Sequence, residues 1–364
     1  MLTTKGSIDF RRNWFHCRFC GQGFNPLDIM LDLEFVGHKV TPEMTAKIAY
    51  AGQNAPSFEA AEQGFEYMMG LEISRTLIRQ ITEETGQKVH EQEMEEAEKA
   101  IAAPEEAISS LLPHERRAGT QYVLVDGSQV NTRHKDQAGS SWKEMKLALI
   151  YNDSNVIRRK SGQAVIVDKE YTAYWGDVNG FKKLVFNAAL RKGYGTYEQV
   201  VFIGDGAHWI WNMCEELFPD AIQILDYYHM CENVYSYARY LYPSDDQKIK
   251  GWAEAVIAHI EENEIDKALA LIPATDESRL PQGVPNLSVY LSNNRNRMNY
   301  KAYQQSGLNV GSGAIESGNK KIIQQRMKQS GMRWNVETGQ TIASLRAKNA
   351  SGKWCEVEQL LNVA

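Results

Sequence analysis

The sequence predicts an α/β protein organised around a mixed β-sheet, with helical regions before it and a helical insertion late in it. Three observations carry this expectation. The run Gln121-Tyr122-Val123-Leu124-Val125-Asp126-Gly127 is apolar and β-branched, and it reads as a buried strand ending in an acid and a turn. A second run, Val200-Val201-Phe202-Ile203-Gly204, ends the same way in Asp205-Gly206. The pattern around these two runs gives three antiparallel strands followed by the order αβαβα.

Composition sets the outer limits. A chain of 364 residues with 43% apolar and 24% charged residues has room for two or three cored, globular domains. No apolar run is long enough to cross a bilayer, and the N-terminus lacks a secretory h-region. Five scattered cysteines form no disulfide framework, so a reducing cytoplasm is the expected compartment. The net charge of −6 opposes a nucleic-acid partner in sum. Its distribution does not: Glu91–Glu98 alone holds five glutamates, while lysine and arginine gather elsewhere.

In chain order, residues 1–40 contain His16-Cys17-Arg18-Phe19-Cys20-Gly21, half of a zinc-ribbon-like module. Cys17 and Cys20 are candidate Zn²⁺ ligands, with His16 and His38 as the only nearby supplements. The opposing reading is a pair of unligated thiols. Residues 41–112 read as helical. Ser57 caps a helix with Ala61, Phe65 and Met68 on one face, Gly70 turns the chain, and a second helix starts near Ser74 with Leu77, Ile78 and Ile81 inward. This resembles a helix-turn-helix DNA-binding region presenting Arg75 and Arg79; a plain helical hairpin fits the pattern equally. Val89–Ala107 reads as a solvated connecting helix, and Pro113 with His114–Thr120 as a boundary.

Residues 118–242 hold the predicted sheet. Its strands fall at Tyr122–Asp126, Glu144–Tyr151, about Ala164–Tyr171, Val200–Gly204 and Ala221–Leu225. Its helices are one capped by Asp177, then Ala207–Phe218, then one through Val234, Tyr237, Ala238 and Leu241. That is the element order of a ribonuclease H-like core. Residues 243–305 read as a helical insertion, and 306–364 as a closing helix followed by C-terminal helices.

The chemistry centres on Asp126, Asp205 and Glu316. Two acids from adjacent strand ends and one from a packed helix can hold two Mg²⁺ (or Mn²⁺) ions for in-line displacement at a phosphodiester. Glu316 also has a structural reading, since it lies in the first turn after Ser312 and suits the helix dipole. Downstream, Lys320, Arg326, Lys328 and Arg333 form a basic stretch that would meet phosphates or simply face solvent. Asp226 and His229 share one helix face and are accessory candidates, or else an N-cap and a half-buried imidazole. Trp209 is a candidate for stacking on a base, although at least one of Trp209 and Trp211 is expected in the core.

Together these blocks resemble the DDE transposases of bacterial insertion-sequence elements, with the ISKra-type family, related to the Mutator-like and hAT groups, as the nearest pattern. The resemblance rests on Val125-Asp126-Gly127 with Trp142-Lys143-Glu144-Met145-Lys146, Ile203-Gly204-Asp205-Gly206-Ala207 and Asp226-Tyr227-Tyr228-His229. It continues in Gly311-Ser312-Gly313-Ala314-Ile315-Glu316 and Arg326-Met327-Lys328-Gln329-Ser330-Gly331-Met332-Arg333-Trp334. It implies that Asp126, Asp205 and Glu316 bind the metal ions, and that Asp226/His229 match an acid-or-Cys-x-x-His signature. It also implies nicking of double-stranded DNA at element ends, then attack of the freed 3′-hydroxyl on target DNA. A bacterial cytoplasmic protein acting as a homodimer on paired ends is the corresponding expectation. Such relatives carry a Cys pair upstream of the one seen here, so recognition of the ends is the function expected to suffer. Two alternatives remain at this point: a DNA-binding descendant that no longer cuts, and a ribonuclease H-like nuclease for branched DNA.

Overall fold

A computed structural model describes residues 1–9, 11, 13–30, 40–109, 117–135, 139–274, 280–281 and 283–362. His38, Pro113 and His114 lie outside the described residues. A five-stranded mixed sheet lies at the centre: β1 (Arg117–Asn131), β2 (Trp142–Asn152), β3 (Lys169–Tyr174), β4 (Tyr197–Gly204) and β5 (Ile222–Leu225), in the order β5-β4-β1-β2-β3. β1 pairs antiparallel with β2 and β2 with β3, while β4 runs parallel to both β1 and β5. The chain therefore builds outward from β1 in one direction and then crosses to its other edge. Ligands of open α/β sheets bind at such a switch point, beyond the strands' C-terminal ends.

The sequence pattern puts the third strand at Ala164–Tyr171, and the structure corrects this. Ala164–Ile166 pairs with Val156–Arg158 in a small separate hairpin, and the sheet strand begins only at Lys169. A turn at Val167-Asp168 splits the apolar run that the pattern joins.

Before the sheet, between two short helices at Pro26–Met30 and Pro104–Ser109, come α1 (Pro42–Asn54), α2 (Phe58–Met69) and α3 (Arg75–Ala102). The predicted caps form. Ser57 accepts from the Ala60 amide, Ser74 from the Leu77 amide, and Gly70 takes the left-handed conformation that ends α2. α3 runs without a break through most of Val89–Ala107, the segment expected to be a solvated connector, and ends at Ala102 before a short helix at Pro104–Ser109. Val89 and Ala97 are buried, and Glu93 faces Lys348 at 3.2 Å with only 15% of its side chain exposed.

The α-helices after β3 are α4 (Val178–Arg191), capped by Asp177, α5 (His208–Leu217) between β4 and β5, and α6 (Tyr227–Leu241) after β5. The late helical stretch includes α7 (Asp246–Glu261) and α8 (Leu287–Asn293). Ala253, Val256, Ile260, Leu287 and Leu291 join the same apolar cluster as the sheet, so these helices share the sheet's core. α9 (Gly313–Asn319) runs into a π-helical turn at Lys320–Gln324. α10 (Val336–Ala350) and α11 (Trp354–Leu360) close the chain. No described helix is long and apolar enough to cross a membrane.

Candidate metal centre at the ends of three parallel strands

Register places three acids at one level. Leu124 pairs with Ile203, and Ile203 with Ile224. Two residues further along each strand stand Asp126, Asp205 and Asp226. Asp126 lies inside the long β1, whereas Asp205 and Asp226 follow the last residues of β4 and β5. The turn after Asp205 depends on glycine: Gly206 has φ +104°, and a Cβ there would lie 2.7 Å from the Tyr290 ring. The Tyr290 hydroxyl donates to the Asp205 carbonyl at 3.0 Å, anchoring the turn to α8.

The fourth acid, Glu316, lies in the first turn of α9 and is positioned by the segment before it. The Asn309 amide donates to the Tyr122 hydroxyl at 3.1 Å, and the Tyr227 amide to the Val310 carbonyl at 3.0 Å. The Ser312 amide donates to Asp226 Oδ1 at 2.9 Å. These bonds lay the 309–312 segment across the strand ends. Ser312 occupies the N-cap position of α9 but makes no side-chain cap; its hydroxyl instead donates to Glu316 Oε1 at 2.7 Å. Asn319, one helical turn beyond Glu316 and 3% exposed, donates from Nδ2 to Asp126 Oδ2, and its Oδ1 has no partner. The Gly127 amide holds the other Asp126 oxygen at 2.7 Å.

Asp226 does two jobs. Its carboxylate caps α6 by accepting from the Tyr228 and His229 amides at 3.3 and 3.2 Å, and it is fully buried. His229 sits on the first turn of that helix, with Nε2 3.7 Å from Asp226 Oδ2 and Nδ1 3.4 Å from Glu232 Oε2. Among the described residues, one group of three or more potential ligands lies with its atoms within 4.8 Å of one another: Asp226, His229 and Glu316. Glu316 thus closes most tightly with the two residues expected to be accessory, not with Asp126 and Asp205.

Electrostatics tie Asp126, Asp205, Asp226 and His229 together. Burial raises the Asp126 carboxyl above its ordinary range, against the pull of His229; neighbouring Asp205 raises it further. Burial likewise raises Asp226, opposed by Ser312 and His229. For His229 burial works downward, but Asp226, Asp126 and Asp205 outweigh it and hold the imidazole above its usual value. The site therefore gathers four carboxyls around one imidazole. Oxygen donors in excess and an orphaned buried amide oxygen on Asn319 fit divalent cations. Mg²⁺ or Mn²⁺ would be held by Asp126 and Asp205 on one side and by Glu316 with Asp226 and His229 on the other.

The remaining predicted residues divide by exposure. Lys320, Lys328 and Arg333 are exposed, and Lys328 Nζ reaches Ser128 Oγ at 3.2 Å, two residues beyond Asp126. Arg326 is a correction. It is 2% exposed, sandwiched between the Phe58 and Trp334 rings at 4.8 and 5.1 Å, and cannot meet a phosphate at the surface. Arg75 and Arg79 are exposed but partnered: Arg79 pairs with Glu83 at 2.9 Å and Arg75 lies 3.9 Å from Glu59. Trp211 is in the core, and Trp209 is half-buried beneath the Lys146 ammonium, 5.5 Å from its ring centre. Cys17 and Cys20 form a turn in which the Cys17 amide bonds the Gln22 carbonyl and the Gly21 amide bonds the Cys17 carbonyl. Amides of Cys20 and Phe19 draw the Cys17 thiol below its usual value. No third ligand joins them among the described residues.

The fold and site thus define a mixed α/β protein with an acid-and-imidazole centre where β4 and β5 end beside the middle of β1. The chain belongs to the uncharacterised protein family UPF0236, which it matches over residues 1–360. It matches no curated protein.

Proposed function

We propose that this protein is a metal-dependent transposase with a ribonuclease H-like core, which cuts double-stranded DNA at the ends of an insertion element and joins them to target DNA. The observation that carries the reading is the convergence of Asp126, Asp205, Asp226, His229 and Glu316 at the switch point of the sheet. Exposed cations lie on the same or adjoining segments of the chain. Arg133, Lys135, Lys143, Lys320, Lys328 and Arg333 are exposed and have no carboxylate within ion-pair distance among the described residues. A negatively charged protein that keeps exposed cations after the strand and helix bearing its acids, and on the strand paired with β1, suits a phosphodiester substrate.

A pair of Mg²⁺ or Mn²⁺ ions would supply nucleophile activation and charge stabilisation for in-line displacement. The chain's own residues position the parts. Asn319 and the Gly127 amide fix both oxygens of Asp126, and the Ser312 hydroxyl orients Glu316. Lys328, beside Ser128, stands where the phosphate backbone would pass Asp126. In the first reaction a water oxygen attacks phosphorus and the 3′-oxygen of the element end leaves. In the second, that 3′-hydroxyl attacks a target phosphodiester and the target's 3′-oxygen leaves. Two element ends require two centres, hence a homodimer in the DNA complex. Cys17 and Cys20 would supply half of a Zn²⁺ site in end recognition.

The test is incubation of the protein with labelled element-end DNA and Mg²⁺ or Mn²⁺. Cleavage that disappears in Asp205→Ala while DNA binding persists supports the reading. Tight binding with no cleavage by the parent chain would instead indicate a DNA-binding descendant without the reaction.

A further inference from the structure

The geometry points to His229 as a direct metal ligand: Asp226, His229 and Glu316 form a nitrogen-containing position that takes a first-row transition ion, Mn²⁺, in preference to Mg²⁺. This deepens the proposed function, since it concerns one of the cations that function needs, and it rests on that reading for its biological use. Three independent features support it. One ligand atom from each residue lies within 4.8 Å of the others, close enough to share an ion. The imidazole is turned with Nδ1 toward Glu232 Oε2 at 3.4 Å, while Nε2 is buried with no hydrogen-bond partner. A histidine that binds metal through one nitrogen usually gives its other N–H to a carboxylate, and Glu232 stands in that place. Finally, Asn319, 3% exposed and one turn after Glu316, donates from Nδ2 to Asp126 and carries a buried, unpartnered Oδ1.

The donor set decides which ion is favoured. Mg²⁺ is a hard cation that binds through carboxylates, water and phosphate oxygens; imidazole suits the later first-row ions best, and Mn²⁺, the weakest of that series, shares the oxygen ligands of Mg²⁺ while accepting a nitrogen more readily. An all-oxygen centre would discriminate little against Mg²⁺; one neutral nitrogen among the donors shifts the preference. Mn²⁺ keeps the affinity for carboxylate and water that the remaining donors require.

The experiment uses the full chain titrated with Mn²⁺ alone and read by electron paramagnetic resonance, with electron spin echo envelope modulation to detect directly bound nitrogen. Nitrogen modulation in the parent, absent in His229→Gln that still binds Mn²⁺, is the expected result. Glu232→Gln should keep the modulation and weaken Mn²⁺ binding about 10-fold. Mn²⁺ bound by the parent without nitrogen modulation overturns the proposal and leaves a metal-dependent DNA reaction standing. No Mn²⁺ bound at all overturns both. Should His229→Gln fail to fold, the parent's modulation and the Glu232→Gln affinity decide the question by themselves.

Discussion

Replacing Arg346 with methionine should uncouple the helix that carries Glu316 from the N-terminal helices. Arg346 is 7% exposed and has no carboxylate partner among the described residues. Its three guanidinium nitrogens donate to three main-chain carbonyls: Nε to Ile322 at 2.8 Å, Nη2 to Lys321, and Nη1 to Gln53 at the end of α1. The first two carbonyls belong to the π-helical turn, where the change from i→i+4 to i→i+5 pairing disturbs the ordinary helical donors. Burial draws the guanidinium down to about 10, so it stays charged at neutral pH. Each buried carbonyl left without a donor costs about 1–3 kcal/mol. Relief of burying an unpaired cation offsets part of that, and methionine fills much of the volume. The expected loss is about 3–5 kcal/mol, a large share of the roughly 5–15 kcal/mol that holds a domain folded. Urea unfolding at pH 7 would measure it, with Arg346→Lys intermediate because one ammonium cannot serve all three carbonyls in the same plane. A loss under about 1 kcal/mol would refute the argument, because it would mean the π-turn finds its donors elsewhere.

Gly86→Ala should destabilise the packing of α3 on α10 by about 1–3 kcal/mol in the same assay, since the new Cβ would stand 2.4 Å from the Thr341 carbonyl oxygen. Glu356 predicts an acid limb. Burial would raise its carboxyl, but Lys348 and Arg191 outweigh it and hold it at about 2 against 4.5. A depressed carboxyl contributes stability that is complete above pH 4.5 and lost as pH falls toward 2. Its loss should amount to about 1–2 kcal/mol after solvent screening of a side chain 31% exposed, and Glu356→Gln should remove that part of the pH dependence. Replacing Arg133, Lys143 and Arg333 with glutamine should lower the salt-dependence slope of DNA binding by about 0.9 for each phosphate no longer neutralised. Arg326→Met should change stability and leave that slope alone, and a reduced slope in Arg326→Met would contradict its burial.

The parts legible in the sequence are those whose cause is local. Asp126 and Asp205 each end an apolar β-branched run, and Ser57, Gly70, Ser74 and Asp177 mark helix ends by their own backbone preferences. Asp226 is easy to undervalue because its strand has only four residues and because its N-cap role is genuine. Nothing local shows that one carboxylate caps α6 and also faces His229 and Glu316. Parallel pairing supplies that fact, since β5 reaches β1 only through β4. Arg326 misleads for the complementary reason: in a run with Lys320, Lys321 and Lys328 it reads as surface charge. The rings that enclose it, Phe58 and Trp334, come from other parts of the chain. Glu93 shows the same failure, because a glutamate-rich helix reads as solvated until Lys348 is brought against it.

The segment from Lys320 to Trp334 connects the chemistry to the N-terminal helices, and its contacts run in both directions. Toward the sheet, the Trp334 amide donates to the Asn131 carbonyl and the Arg133 amide to the Trp334 carbonyl, so the segment is bonded to the strand that carries Asp126. Toward the helices, Gln329 Nε2 donates to the Pro56 carbonyl, Arg326 stacks on Phe58 at the start of α2, and Arg346 joins the π-turn to Gln53. Pro56 and Phe58 flank the cap of α2, the first helix of the pair that resembles a helix-turn-helix. A shift of α2 would pull on Pro56 and Phe58, and through Gln329 and Arg326 on the helical stretch that starts with Glu316 and Asn319. Asn319 bonds Asp126, so the same shift reaches both sides of the candidate metal centre. In this fold, a chain of direct contacts runs from the start of α2 to the acids of the candidate centre.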